Sequence, residues 1–161
     1  MISGKIKSPK VLKAIISGLK KKAKKIALTN GCFDILHYGH VKYLEDAKKS
    51  TDYLVVAVNS DDSVKRLKGA KRPLCVLNDR MKVLSGLSSV DYIVSFNEDT
   101  PLEIIQYLKP DILIKGADYK IKDIVGNDIV RSYGGIVKRV EYLKGHSVTS
   151  LIKKIVTRYG G

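Results

Sequence analysis

The 161-residue chain has three histidines, and two fall in one run, Asn30-Gly31-Cys32-Phe33-Asp34-Ile35-Leu36-His37-Tyr38-Gly39-His40. The third stands in Gly145-His146-Ser147-Val148-Thr149. Two imidazoles three residues apart can donate hydrogen bonds to adjacent phosphate oxygens. There they would stabilise charge that builds during in-line displacement at phosphorus, without a covalent intermediate. Gly39 lets the backbone pass close to a ligand. A helix beginning at this point adds free N–H groups and the positive end of its dipole, both favourable to an anion. An isolated H-x-G-H run reads equally well as a loop histidine and a helix-start residue. The third histidine, at a second Gly-Ser-Thr helix start, turns the reading toward phosphate.

The elements that must position these residues are legible as alternating periods. Ser8-Pro9 is a cap followed by a first-turn proline, and Val11, Leu12, Ile15, Ile16 and Leu19 follow at helical spacing. Lys25 to Asn30 reads as a short buried strand, with a helix from His40 to about Lys49. Tyr53 to Asn59 is almost continuously apolar, the pattern of a parallel strand covered on both faces. Asn78 is expected to cap a helix carrying Met81, Leu84 and Leu87, and Tyr92–Phe96 to form a strand. Thr100-Pro101 opens a further helix, Ile112–Lys115 is a strand, and a helix over 126–133 ends at Gly134-Gly135. Ile136–Val140 is the last strand. The last helix, from Ser147, has an apolar stripe of Val148, Leu151, Ile152, Ile155, Val156 and Tyr159. This alternation predicts an α/β fold: a Rossmann-like, doubly wound parallel sheet of about five strands in one domain, with an extra N-terminal helix. Residues 1–24 are read as a basic accessory helix and 25–161 as the domain proper.

Charge narrows the partners. The net charge is +14, but residues 1–25 hold nine lysines and no acid, leaving about +5 for the rest. No aromatics are interleaved with those lysines as base stacking would require, so nucleic acid is not the favoured partner. No apolar run approaches the roughly 20 residues of a membrane span, and no signal-peptide pattern opens the chain. Cys32 and Cys75 are far apart and lack metal-type spacing. A cytoplasmic protein is expected.

In doubly wound sheets ligands bind beyond the carboxyl ends of the strands. Those ends carry Asn30–His40, Asn59-Ser60-Asp61, 97–100, Lys115-Gly116-Ala117-Asp118-Tyr119 and Gly145–Thr149. Neither the G-x-G-x-x-G dinucleotide fingerprint nor the G-x-x-x-x-G-K-[ST] loop is present, which argues against dehydrogenase and P-loop readings.

The run GCFDILHYGH resembles the signature of the H-x-G-H nucleotidyltransferase superfamily. An ordered set of further segments narrows the likeness: VAVNSDDSVKRLKG, Arg72-Pro73, Asp79-Arg80, VDYIVSFNEDTP, LKPDILIKGADY, IVGNDIV and GHSVTSLIKKI. Together they are similar to the D-glycero-β-D-manno-heptose 1-phosphate adenylyltransferases, over about residues 25–156. The resemblance implies transfer of the ATP adenylyl group to a sugar 1-phosphate, giving ADP-heptose and pyrophosphate for lipopolysaccharide or surface-glycan synthesis. It implies catalytic roles for His37 and His40. Nucleotide binding would fall to Gly31, Cys32, Phe33 (through its backbone N–H), Gly39, Lys115, Gly116, Asp118, Ser147 and Thr149. Substrate binding would fall to Asp34, Asn59, Asp61, Lys65, Lys68 and Arg80. Mg²⁺ is the implied cofactor, held mainly by ATP phosphates, with no firm protein ligand. A separate sugar kinase and a homodimer are the implied partners.

Several residues keep two readings. Lys65 and Lys68 are either phosphate contacts or a solvated face. Ser147 and Thr149 are either phosphate ligands or plain capping residues. Arg80, in the first turn of a helix whose dipole it opposes, points to an anion contact. Val148 replaces a threonine and Ala117 a glycine of the usual pattern, which bears on substrate fit more than on reaction class. Glycerol-3-phosphate or ethanolamine-phosphate cytidylyltransferases and flavin adenylyltransferases share H-x-G-H. Outside this class stands a non-catalytic nucleotide- or nucleic-acid-binding module.

Overall fold

The computed structural model describes residues 2–141, 143 and 145–160. Helix α1 spans Pro9–Lys21, β1 Ile26–Gly31, α2 Tyr38–Lys48 and β2 Tyr53–Asn59. Helix α3 (Asp61–Lys68) and α4 (Leu77–Ser85) lead to β3 (Tyr92–Phe96). Then come α5 (Leu102–Leu108), β4 (Ile112–Gly116), α6 (Asn127–Ser132), β5 (Ile136–Val140) and α7 (Val148–Tyr159), with short 3₁₀ turns at Ile2–Lys5 and Ile121–Asp123. The strands form one sheet in the order β3-β2-β1-β4-β5, every pair parallel. The chain winds outward from β1 to β3, then crosses to β4 on the other side. The switch point therefore lies between β1 and β4, which is where such sheets open a cleft.

Strand alternation divides the core between the two faces. Val55 and Ala57 of β2 pack with Leu12, Ile16, Ile105, Leu108 and Val130. Leu54, Val56 and Val58 face the other way, against Tyr43, Leu44, Ala47 and Leu84. Helix α1 begins as expected: Ser8 accepts from the Val11 N–H and Pro9 occupies the first turn. It does not stand apart. Leu12 and Ile16 are 0% and 2% exposed within the first cluster, and Lys7 N donates to Ile93 O at the outer edge of β3. The expected division into an accessory helix over 1–24 and a domain over 25–161 is thus not a division of cores.

The amino edge of the sheet is braced by three aspartates, each immediately before a strand. Asp52 accepts from Lys25 N (2.8 Å), Asp91 from Leu54 N (2.7 Å) and Asp111 from Ile26 N (2.9 Å). Each also pairs with a lysine: Lys24, Lys48 and Lys20 respectively. Two of the N-terminal lysines are thereby bound to the sheet's own carboxylates.

Two helix starts and the burial of one helix differ from the sequence reading. Helix α2 starts at Tyr38, with His37 at the cap position and His40 inside its first turn. Helix α4 starts at Leu77 after Val76, which caps it with no side-chain bond, so Asn78 lies inside the first turn. That start follows a segment held by long-range bonds at Leu74 and Cys75, which override local capping preference. Helix α7 has the apolar stripe but no buried residue; Leu151 and Ile152 are half-buried, while Ile155, Val156 and Tyr159 are exposed. It follows an edge strand, and only its first turns meet the domain.

Two substitutions check this account by urea unfolding. Asp91→Ala leaves the buried Leu54 N–H without its acceptor and should cost about 1–3 kcal/mol. Leu12→Ala should cost about 2–5 kcal/mol, as expected of a core leucine and not of a detachable arm.

Candidate active site

A cleft of about 500 Å³ opens at the carboxyl edge of the sheet, over the ends of β1, β2 and β4. Its floor is the turn that follows β1. Phe33 there adopts φ +45°, a conformation unusual for a side-chain-bearing residue, and its ring is nearly buried. Gly31 lies close to that ring: a Cβ there would come 3.0 Å from it, so the ring would have to shift slightly to admit a side chain. Gly39 is squeezed harder: its Cβ would lie 2.9 Å from the His146 Cβ and 3.1 Å from the His37 ring. The missing side chain is what lets the three histidines converge.

His37 and His40 stack with ring centroids 3.8 Å apart and 20° between planes, and Phe33 flanks His40 at 5.2 Å. Tyr38 meets His146 edge-on at 5.8 Å. Burial, then the proximity of His37, pushes the His40 pKa down to about 4, against a backbone hydrogen bond at Ile35. Burial, then His146, also lowers that of His37. Burial thus favours the neutral form of both rings. Among the described residues, their Nδ1 atoms and the Asn30 Oδ1 are buried without a hydrogen-bond partner. Unpaired polar atoms are costly in an interior, and two of the three belong to residues that line the cleft, Asn30 and His40.

Across the switch point, Lys115 reaches the cleft from β4. Burial lowers its pKa to about 8, with Asp118 and Cys32 acting the other way, and its Nζ lies 5.6 Å from the Tyr119 ring centroid. Gly116, Val148 and Thr149 complete that wall, joined by the apolar Ile124 and Val125. Ser147 caps α7, accepting from Ser150 N in a reciprocal capping box. Cys32 lines the floor, its thiol pKa raised chiefly by burial.

The expectations for substrate binding divide. Asp34, Asn59 and Lys68 line the cleft, but Lys65 is exposed and paired with Asp62; of the residues expected to bind nucleotide, Asp118 is exposed outside the lining. Arg80 is the clear correction. Its side chain is fully buried, donating to Cys75 O (3.0 Å), Cys32 O, Asn59 O (2.9 Å) and Asp61 (2.7 Å). A guanidinium so committed is a strut between loops, not an anion contact, and it also occupies Asp61. The residue preceding Pro73 takes its place in the cleft: Arg72, whose Nε donates to Asp34. Asn30, Asp99, Thr100 and Tyr119 also line the cleft and were missed. Their positions at strand ends were the available signal.

The cytidylyltransferase-like family matches residues 28–153. The bifunctional protein HldE of Geobacter metallireducens is 52% identical over 156 residues, 97% of this chain and 32% of that protein. The bifunctional protein HldE of Pasteurella multocida is 54% identical over 150 residues, 93% of this chain and 32% of its own. The chain thus spans about a third of the length of these curated relatives. Likeness to them extends into the N-terminal lysine-rich segment, beyond residues 25–156. A lipopolysaccharide core biosynthesis protein from Thermoplasma volcanium is 34% identical with a TM-score of 0.62, covering 76% of this chain and 99% of its own. A pantoate-beta-alanine ligase from Francisella tularensis, 16% identical with a TM-score of 0.66, shares the fold. The parallel sheet with its cleft at the switch point, the stacked H-x-G-H pair and these matches make one statement: this chain belongs to the cytidylyltransferase-like family of nucleotidyltransferases.

Proposed function

We propose that this chain transfers the adenylyl group of ATP to D-glycero-β-D-manno-heptose 1-phosphate, giving ADP-heptose and pyrophosphate. The observation that carries the reading is the stacked His37–His40 pair at the start of α2, its burial favouring the neutral form and its Nδ1 atoms unpartnered among the described residues. The bifunctional relatives and the lipopolysaccharide core biosynthesis protein support the substrate class.

In this reaction an oxygen of the sugar phosphate attacks the ATP α-phosphorus. The bond from that phosphorus to the bridging oxygen of the β-phosphate breaks, and pyrophosphate leaves. Neutral imidazoles act as hydrogen-bond donors to the phosphoryl oxygens as charge accumulates, and held in place they need no reorganisation. Gly39 permits their approach, and Lys115 adds a cation on the nucleotide side. The apolar Ile124 and Val125 suit a base. Mg²⁺, where bound, screens the triphosphate charge. Such an ion is usually held by one or two carboxylates together with substrate phosphates and water. The sugar 1-phosphate itself requires a kinase acting on the anomeric hydroxyl. A homodimer remains the expectation drawn from the resemblance. Among the described residues no helix is long and apolar enough to cross a membrane.

Pyrophosphate release from ATP or CTP across a panel of sugar and polyol phosphates tests the reaction; release only with CTP and a polyol phosphate overturns it. His40→Ala should lose about a hundredfold or more in rate, the scale of removing an oxyanion-type donor. Binding a polyanion raises the pKa of His40 from about 4, so ATP affinity should increase as pH falls from 7 toward 5, with proton uptake. Calorimetry in buffers of different ionisation enthalpy reads that uptake, and His40→Ala should show less of it than the wild type.

A further inference from the structure

At the β2 end of the cleft, the segment over 69–76 between α3 and α4 is tied down by one carboxylate. The Asp34 side chain is fully buried and accepts from Arg72 Nε, Leu74 N (2.8 Å) and Cys75 N (2.9 Å). Burial alone would raise its pKa, but the N–H groups of Cys75 and Leu74 and the Arg72 guanidinium hold it below the usual carboxylate range. A buried carboxylate cannot release such donors without leaving charge unpaired, so the segment has little freedom.

The clamp uses only Nε of Arg72. The two terminal nitrogens have no protein acceptor among the described residues, and the side chain lines the cleft together with Lys68. Arg80, the neighbouring arginine, has its nitrogens taken up by four protein acceptors. Lys68, Arg80 and Arg72 all act on the Cys32 thiol from nearby. Of these cations, Lys68 and the outer face of Arg72 are free to meet a ligand.

We propose that Arg72, oriented by Asp34 and seconded by Lys68, anchors the phosphate of the acceptor substrate; the inference rests on the transfer reaction proposed above. The order of groups across the sheet supports it. Lys115, Gly116 and Thr149 stand on the β4 side, His40 is central, and Arg72 and Lys68 are on the β2 side. In-line displacement places the entering and leaving oxygens on opposite sides of phosphorus, so the two phosphate-bearing substrates need separate anion sites. A guanidinium fork matches a phosphate more closely than an ammonium does. Arg72 is a binding residue, and Asp34 a positioning residue acting through it.

Initial rates with both substrates varied test this for the wild type, Arg72→Met, Arg72→Lys and Asp34→Asn, each first shown to be folded by its melting curve. Arg72→Met should raise the acceptor KM about tenfold or more while leaving the ATP KM within about twofold, since only one of the two anions loses its charge-assisted bonds. Arg72→Lys should restore little, lacking both the fork and the Nε that Asp34 holds. Asp34→Asn should move the acceptor KM in the same direction by releasing the guanidinium. Independently, titration of the ligand-free protein with inorganic phosphate should show weaker binding in Arg72→Met. If the wild type converts no sugar 1-phosphate, the transfer reading fails while the phosphate titration still decides the role of Arg72. A folded Arg72→Met with unchanged acceptor KM and phosphate binding, or with its loss falling on ATP, overturns the proposal.

Discussion

A guanidinium cannot shed its proton inside a protein, so burying one obliges the chain to bring acceptors to it. Arg80 meets that obligation with two loop carbonyls, Cys32 and Cys75, one strand-end carbonyl, Asn59, and the carboxylate of Asp61. Three stretches of the chain, at 32, 59–61 and 75–80, are thereby fixed around one side chain. The turn carrying the phosphate-type motif is one of them. Its strained Phe33 backbone and the stacking of His37 on His40 persist because the turn cannot relax away from this strut.

Asp34 repeats the principle with the opposite charge. A buried carboxylate gathers two backbone N–H groups and an arginine, and the segment over 69–76 is closed down beside the motif turn. The two buried ions divide the arginines between them. Arg80 is consumed by structure, whereas Arg72 is held by one edge and keeps the other for the cleft. Preorganisation of this kind costs folding stability at the site, and the parallel core on both faces of the sheet supplies what offsets it.

The sheet is also chemically polar from end to end. Its amino edge holds Asp52, Asp91 and Asp111, each bonded to a backbone N–H of a neighbouring strand or its start and paired with a lysine. Its carboxyl edge gathers histidines, glycines, a lysine of lowered pKa and helix starts. The lysine-paired carboxylates brace the edge away from the cleft, and the carboxylates at the cleft, such as Asp34, are held by backbone N–H groups and an arginine. The lysine-rich N-terminus, which inflates the net charge, belongs to the first arrangement: Lys20 and Lys24 pair at the amino edge, and α1 covers the core.

What the sequence determined by itself follows from local periods and local chemistry. Alternation of near-continuous apolar runs with helical stripes set a parallel five-stranded sheet, and the placing of Asn30–His40 after the first strand set where the cleft would be. Glycine at position 39 and histidines at 37 and 40 act within a few residues of one another, so their spacing was enough. Tertiary structure decided the rest. Whether an arginine is a strut or a ligand depends on partners such as Cys32, 48 residues from Arg80, and Asp34, 38 residues from Arg72. Whether an apolar stripe is buried depends on what lies opposite, which separates α1, sunk into the core, from α7, largely exposed with an equally regular pattern. Periodicity states what a helix can bury; only the packing of distant segments states what it does.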